Sequence, residues 1–241
     1  MSFVDLHSHY LPGIDDGVRR LEDGVALVRG LKGIGFDTVM ATPHIRTAMF
    51  PNRKGGVEEA HAAFREAVAG EEGLPELGLG AEHFFDDVFW GLFQAGEAVP
   101  YPGGKAALVE LPPERLPLRL EHCFFEMRVK GVRPVLAHPE RYRPFFKRTD
   151  DLDPLLDAGA LPLLDLMSLV GRYGRRPRKA AERMLEEGVY YAACSDAHKP
   201  EDVELVRDAI AKLRKRVGDE EAEELLGENP RRILAGTAEF E

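Results

Sequence analysis

Phe3-Val4-Asp5-Leu6-His7-Ser8-His9 opens on a short apolar run, Phe3–His7, and ends in two imidazoles two residues apart. Side chains at i and i+2 of an extended strand point the same way, so His7 and His9 can grip one ion. Alone, such an H-x-H is often a pair of surface histidines at a strand end. The same pattern recurs along the chain, which changes the reading. Asp37–Thr42 runs towards His44, Leu77–Glu82 ends in Glu82, and Ala106–Leu111 contains Glu110. Arg133–His138 ends in His138, and Val189–Cys194 leads into Asp196-Ala197-His198. Five of the eight histidines thus lie where a predicted strand runs out, and acidic residues end two further strands.

With Ala160–Asp165 these make seven short runs of the kind expected for buried parallel strands. Helical patterns separate most of them. Leu21–Ile34 carries a one-sided apolar stripe, Val57–Val68 is rich in Glu and Ala, and Leu118–Lys130 stops at Gly131. Arg178–Glu187 stops at Gly188, Asp202–Val217 at Gly218, and a last helix is expected near Glu220–Leu226. Strand–helix alternation without a change of composition predicts one right-handed βαβ array. Seven strands, rather than eight, predict a distorted or incomplete α/β barrel. Its C-terminal mouth is where strand-end ligands would meet. The segment Thr42–Gly56, with Met49, Phe50 and several cations, is the expected mobile loop over that mouth.

The bulk properties agree with one domain over residues 1–241, since 44% hydrophobic content suffices for a single barrel core. A formal charge of −10 argues against nucleic acid or an anionic membrane surface as partner. No apolar run reaches the roughly 18 residues of a membrane span, and nothing reads as a secretory leader or lipidation motif. Two cysteines, Cys123 and Cys194, make no disulfide framework, so a reducing cytoplasm is expected.

Glu82 and Glu110 end apolar runs, where a carboxylate is costly unless paired or metal-bound. An ion pair to Arg46, Arg141 or Lys105 is the simpler account of each. His44 and His138, taken singly, would be structural histidines, and Asp16 a turn residue or helix cap. Together, His7, His9, Asp16, His44, Glu82, Glu110, His138, Asp196 and His198 are too many ligands for one ion. They suit three, each with open positions for water. Three divalent ions against four carboxylates leave a local charge of about +2, attractive to a phosphate dianion.

These residues resemble the PHP (polymerase and histidinol phosphatase) superfamily of metal-dependent phosphoesterases. The narrower likeness is to the bacterial PHP-type protein-tyrosine phosphatases of capsular and exopolysaccharide regulation. It is carried by His7-Ser8-His9 with Asp15-Asp16-Gly17, Thr42-Pro43-His44, Gly80-Ala81-Glu82 and Val109-Glu110. Ala137-His138-Pro139-Glu140-Arg141, Ser168-Leu169-Val170-Gly171, Ser195-Asp196-Ala197-His198 and Glu228-Asn229 extend it over nearly the whole chain. The resemblance implies a (β/α)7 TIM-like barrel, the PHP fold, with three divalent ions. Manganese is the commonest implied metal, with iron, cobalt, magnesium or zinc as alternatives. It implies that His7, His9 and Asp196 hold one ion, that Glu82 bridges to a second held by Glu110 and His138, and that Asp16, His44 and His198 hold a third. Two departures stand out. The branch usually carries an arginine about five residues after the last histidine, where this chain has Val203, with Arg207 one turn further as a substitute. His83, beside Glu82, is not part of the usual pattern.

The expected chemistry is attack of metal-activated water on a phosphomonoester, with Glu82, Asp196 and His198 at the catalytic centre. Arg46 and Arg141 are the candidates for phosphate recognition, since a guanidinium fork matches phosphate oxygens. The expected substrate is a phosphotyrosyl protein, a polysaccharide-biosynthesis kinase by the resemblance. A histidinol-phosphate, nucleotide or other small-molecule phosphatase is the alternative. An amidohydrolase would commonly use a bridging lysine on the fourth strand, where this chain has Glu110. A cysteine phosphatase needs an arginine six positions after its nucleophile; Cys194 has Pro200 there and Cys123 has Val129. A metal-stabilised module without turnover is the remaining, non-enzymatic reading.

Overall fold

A computed structural model describes residues 2–239. Nine strand segments are present among them: β1 (Phe3–Ser8), β2 (Phe36–Ala41), β3 (His44–Ile45), β4 (Glu76–Leu79), β5 (Glu82–Phe84), β6 (Ala106–Glu110), β7 (Arg133–Ala137), β8 (Leu161–Asp165) and β9 (Ala192–Cys194). All pairings between them are parallel, in the orders β1-β2-β4 and β3-β5-β6-β7-β8-β9. The two sheets are one barrel of seven staves, because β2 continues into β3 and β4 into β5. Pro43, which has no N–H to give a ladder, interrupts the second stave. Gly80 N donating to Ala41 O (2.8 Å) and Glu82 N to Pro43 O (3.1 Å) carry the pairing across both breaks. The expected (β/α)7 TIM-like architecture is therefore the observed one.

Closure comes from the two ends of the chain. Ser8 bridges Ala197 in parallel, Asp196 N donates to His7 O (2.9 Å) and His9 N donates to Ala197 O (2.9 Å). Beneath this seam the buried Asp5 carboxylate accepts Ser195 N (2.9 Å) and Ser195 Oγ (2.5 Å). The acidic residue of the opening strand is thus spent on joining first stave to last.

Outer helices α1 (Leu21–Gly33), α2 (Lys54–Ala67), α3 (Asp87–Ala95), α4 (Leu120–Val129), α5 (Asp153–Asp157), α6 (Leu166–Leu169), α7 (Arg175–Glu186), α8 (Asp202–Val217), α9 (Asp219–Glu223) and α10 (Asn229–Ala235) surround the staves. Helix α3 falls where no helix was expected. Its start is fixed by Asp86, whose side chain accepts Phe89 N, and its end by Gly96 in the left-handed region. The last stave is shorter than expected, beginning at Ala192 rather than Val189. The main core lies between staves and helices. A second cluster takes alternate residues of successive staves, Val4 and Leu6, Ala106 and Leu108, Val135 and Ala137, Leu161 and Leu163, Ala192 and Cys194. That cluster fills the barrel interior, and Ile233 of α10 packs into it. Above it the apolar lining stops and the mouth begins.

Candidate metal centre

The mouth is built by strand ends. His7 and His9 leave β1, His44 starts β3, Glu82 starts β5, Glu110 ends β6, and His138 follows β7. Asp196 and His198 follow β9, and Asp16 lies on the loop after β1. Seven of these nine side chains are buried, His198 is half-buried, and Asp16 is exposed at the rim. Four overlapping groups bring ligand atoms within 4.8 Å of one another: His9–Asp16–His44–His198, His7–His9–Glu82, His7–His138–Asp196 and His44–Glu82–Glu110. All nine expected ligands take part, and no other described residue does. Glu82 is the hub. Its carboxylate lies 2.9 Å from His138 Nε2, 2.9 Å from His44 Nδ1, 3.4 Å from His7 Nε2 and 3.7 Å from His9 Nε2.

Local backbone is bent to achieve this. Four non-glycine residues have positive φ among the described residues, and two of them are His138 (35°) and Asp196 (48°). Such conformations are unfavourable for L-residues and persist where the surroundings enforce them. Gly17 is needed for a different reason: a Cβ there would sit 2.2 Å from His9 O.

An outer ring of hydrogen bonds decides which ring nitrogens face inward. His7 Nδ1 lies 2.5 Å from Thr42 Oγ1, and the same hydroxyl is 3.3 Å from Ser8 O. If the hydroxyl gives its proton to Ser8 O, His7 Nδ1–H donates to it, leaving Nε2 as a bare acceptor. His9 Nδ1 is 2.8 Å from Asp15 Oδ2 and His198 Nδ1 is 2.8 Å from Asp196 O, so these rings also present Nε2 inward. Buried His7 Nε2, His9 Nε2, His44 Nδ1 and Glu110 Oε2 have no hydrogen-bond partner. Orphaned acceptors of this type, gathered in one place, are what a divalent cation satisfies. The mixture of imidazole and carboxylate donors suits manganese, iron, cobalt or zinc.

Electrostatics point the same way. Burial lowers the proton affinity of His7 and His9, yet Asp196 and Glu82 beside the first and Asp15 beside the second raise both above the ordinary imidazole value. His44 is raised to about 11 by Glu82 and Asp16, against the effect of burial. His138 is lowered to about 4 by burial and the nearby Arg141 guanidinium. Burial and Glu82 raise Glu110 to about 7. Despite burial, Glu82 is held well below the carboxylate range by His44 and His7, and Asp196 by His7 and His198. Protons on the imidazoles balance the carboxylates here; cations would replace those protons, because ligating imidazoles are neutral.

Both expected phosphate-binding arginines are at the mouth. Arg46 Nη1 lies 3.8 Å from Glu110 Oε2, with its guanidinium over the Phe84 ring. Arg141 Nη1 donates to Asp196 Oδ2 (2.6 Å), lies 3.7 Å from Asp165 Oδ2 and stacks on Tyr173. The peptide carrying Arg141 is anchored by its neighbour Glu140. That buried carboxylate accepts Ser168 Oγ (2.9 Å), Asp165 N (3.2 Å) and Tyr190 OH (3.1 Å), and burial raises it to about 7. The segment expected to be a mobile cover is tied down at several points. Arg46 and Phe50 form an antiparallel bridge, and Asn52 Nδ2 donates to Ile14 O (2.9 Å) and His44 O (2.8 Å). Phe50 stacks on His44 at 5.2 Å, so this segment walls the site.

Arg207 does not reach the mouth. It pairs with Glu204 on the solvent face of α8, while Val203 is buried. His83 is a core histidine with both nitrogens engaged: Nδ1 with Leu108 O (3.0 Å) and Nε2 accepting Val99 N (3.1 Å). Burial lowers it to about 4, as befits a neutral ring. Sequence reading assigned no role to the supporting residues Thr42, Asp15, Asp165 and Tyr173. Thr42 and Asp15 sit inside the motifs around His44 and His9, Asp165 ends the predicted strand Ala160–Asp165 as Glu82 ends its own, and Tyr173 has no local signal.

The geometry has clear relatives. Tyrosine-protein phosphatase YwqE of Bacillus subtilis (strain 168) is 28% identical over 219 residues, 90% of this chain and 86% of YwqE. Tyrosine-protein phosphatase CpsB of Streptococcus pneumoniae is 25% identical over 240 residues, 96% of this chain and 98% of CpsB. A crystal structure from work on YwqE and CpsB, described there as unique metal-dependent tyrosine phosphatases, superimposes with a TM-score of 0.89 at 27% identity. That match covers 100% of this chain and 96% of the other. The family model for capsular polysaccharide synthesis, CpsB/CapC, matches residues 3–235, and the chain belongs to that family.

Proposed function

We propose that this protein is a metal-dependent phosphatase that hydrolyses phosphotyrosine in a protein of capsular or exopolysaccharide synthesis, its kinase in particular. The observation that carries this reading is the convergence of four imidazoles on Glu82 within 3.7 Å, supplied by three strand ends of a barrel fold shared with the YwqE and CpsB phosphatases. We assign the nine-residue cluster to three divalent ions, manganese first among them, with Glu82 between two of them. Ions bound there would lower the pKa of water from 15.7 towards about 7 and draw charge from phosphoryl oxygens.

The chain's own residues do the rest. Thr42, Asp15 and the Asp196 carbonyl orient the rings. Arg141 and Arg46 set positive charge on two sides of the mouth, where a phosphate dianion is drawn in despite the acidic surface. Arg141 is only 29% exposed, so its charge is little screened. A tyrosyl leaving group has a phenol pKa of about 10 and needs less protonation than an alkoxide. That suits a mouth where no group stands out as general acid. Residues 1–241 act as one domain in this reading. A cytoplasmic setting fits two buried free cysteines, and no helix among the described residues is long and apolar enough to cross a membrane.

The test is a substrate panel on manganese-loaded protein: phosphotyrosyl peptide, histidinol phosphate and nucleoside monophosphates. Turnover on the phosphotyrosyl peptide well above the others is expected. High turnover confined to histidinol phosphate overturns the assignment, and bound metal without turnover on any ester makes the protein a binding module.

A further inference from the structure

Beside the metal-ligand cluster lies a cavity of about 380 Å3 whose wall includes Asp16, His198, Arg141, Tyr173, Arg172 and Lys199. Two of these, Asp16 and His198, are candidate ligands, so a phosphate resting over the cluster faces this cavity. Its cations come from separate elements: Arg141 from the turn after β7, Arg172 from the loop after α6, and Lys199 from the loop after β9.

Arg141 and Arg172 differ in how far their hydrogen bonds are already used. Arg141 donates to Asp196 at 2.6 Å and is flattened against Tyr173. Arg172 is 40% exposed, and its Nη2 stands 3.5 Å from Asp202 Oδ1. That is an ion-pair distance without an aligned hydrogen bond, since buried Asp202 Oδ1 has no hydrogen-bond partner. The other oxygen, Asp202 Oδ2, accepts the amide of His198 (3.0 Å). One buried carboxylate therefore holds the backbone of a candidate ligand and steers a guanidinium whose donors are uncommitted. Nothing else on the wall combines a fork of free donors with so short a link to the cluster.

We infer that Arg172 is a substrate-contacting residue, binding the phosphoryl oxygens of the ester from the side opposite Arg141, with Asp202 as the residue that positions it. This rests on the phosphatase reading above. It also explains how the chain manages with Val203 buried in α8 and Arg207 turned to solvent.

Calorimetric titration of inorganic phosphate into manganese-loaded protein reads the contact without turnover. Arg172→Gln is expected to weaken phosphate binding by roughly 10- to 100-fold, the size of a lost charge-assisted hydrogen bond. It should lower kcat/KM on p-nitrophenyl phosphate and on a phosphotyrosyl peptide alike. Arg172→Lys should recover part of the loss, and Arg207→Gln should change neither readout. Unchanged phosphate affinity in folded, metal-loaded Arg172→Gln overturns the inference, as does failure of the wild type to bind phosphate. A loss confined to peptides with acidic flanking residues also overturns it, moving Arg172 from phosphate to peptide recognition. A wild type that binds phosphate through Arg172 but hydrolyses no ester overturns the phosphatase reading and leaves this contact standing.

Discussion

The two halves of the barrel interior are lined by the same staves yet obey opposite rules. In the lower half, Val4, Leu6, Leu108, Val135 and Leu161 pack as a dry cluster, and Tyr101 satisfies its hydroxyl on Leu6 O at 2.7 Å. A few residues further along, the staves deliver His7, His44, Glu82, Glu110 and His138 into a buried, charged cluster with orphaned acceptors and left-handed backbone. The lower half stabilises through apolar burial, about 25 cal/mol per Å2. The upper half costs desolvation and strain, which binding must repay. Stability and chemistry are thus segregated along one set of strands, as the two faces of such barrels generally are.

The sharpest way to break this comparison is Glu82→Gln. Activity should fall by about 10³-fold or more, because the hub of the cluster loses its charge, and the metal-free protein should melt lower, because His44 and His7 lose their buried counter-charge. Kinetics with elemental analysis and a thermal melt check both halves of the statement; near-normal rates would remove Glu82 from the hub. Leu161→Ala is the mirror experiment. It should cost about 2–5 kcal/mol in urea denaturation as a cavity opens, with metal content and turnover per folded molecule unchanged. Thr42→Val and Asp15→Asn act between these extremes, each loosening one imidazole. Metal affinity should weaken about 10- to 100-fold with little effect on stability, as read by competition with a chelator.

The smallest effect expected is a pH dependence far from the mouth. Burial, with Arg65 nearby, lowers His61 of α2 below its ordinary value of 6.5. The unfolded chain takes up this proton first as pH falls. The contribution is therefore present above 6.5 and is lost as pH drops through the folded value. His61→Gln should flatten that part of the stability–pH curve without touching activity. A curve of unchanged slope would show that His61 titrates as an exposed ring.

Much of this division is legible in the amino-acid order. Strand-end ligands at positions 7, 9, 44, 82, 110, 138, 196 and 198 declare the mouth, because parallel staves buried on both faces leave few reasons for a charge at their tips. The nine side chains read as candidate ligands come together at the mouth. How they are shared among ions is a proposal, since in this structure His138 groups with His7 and Asp196, and His44 with Glu82 and Glu110. Other features were hidden. Helix α3, reading Asp-Val-Phe-Trp-Gly-Leu-Phe-Gln-Ala, is short, and its inward Phe89, Leu92 and Phe93 are interleaved with Val88 and Trp90, so its two caps carry the clearer signal. The pairing of Arg172 with Asp202 joins residues thirty apart, and Asp165 meets Arg141 only once β8 pairs with β7. Contacts of that range follow from topology and leave no periodic trace.

The seam between the first and last staves has a consequence for biosynthesis. His7 and His9 emerge from the ribosome long before Asp196 and His198, and Asp5 waits for Ser195 to complete the ring. Seven of the nine candidate ligands are therefore made before Asp196 and His198, and the cluster can reach its final geometry only near the end of synthesis. Truncated products would be hydrolytically silent, so the cell is spared a partial enzyme loose among its phosphoproteins.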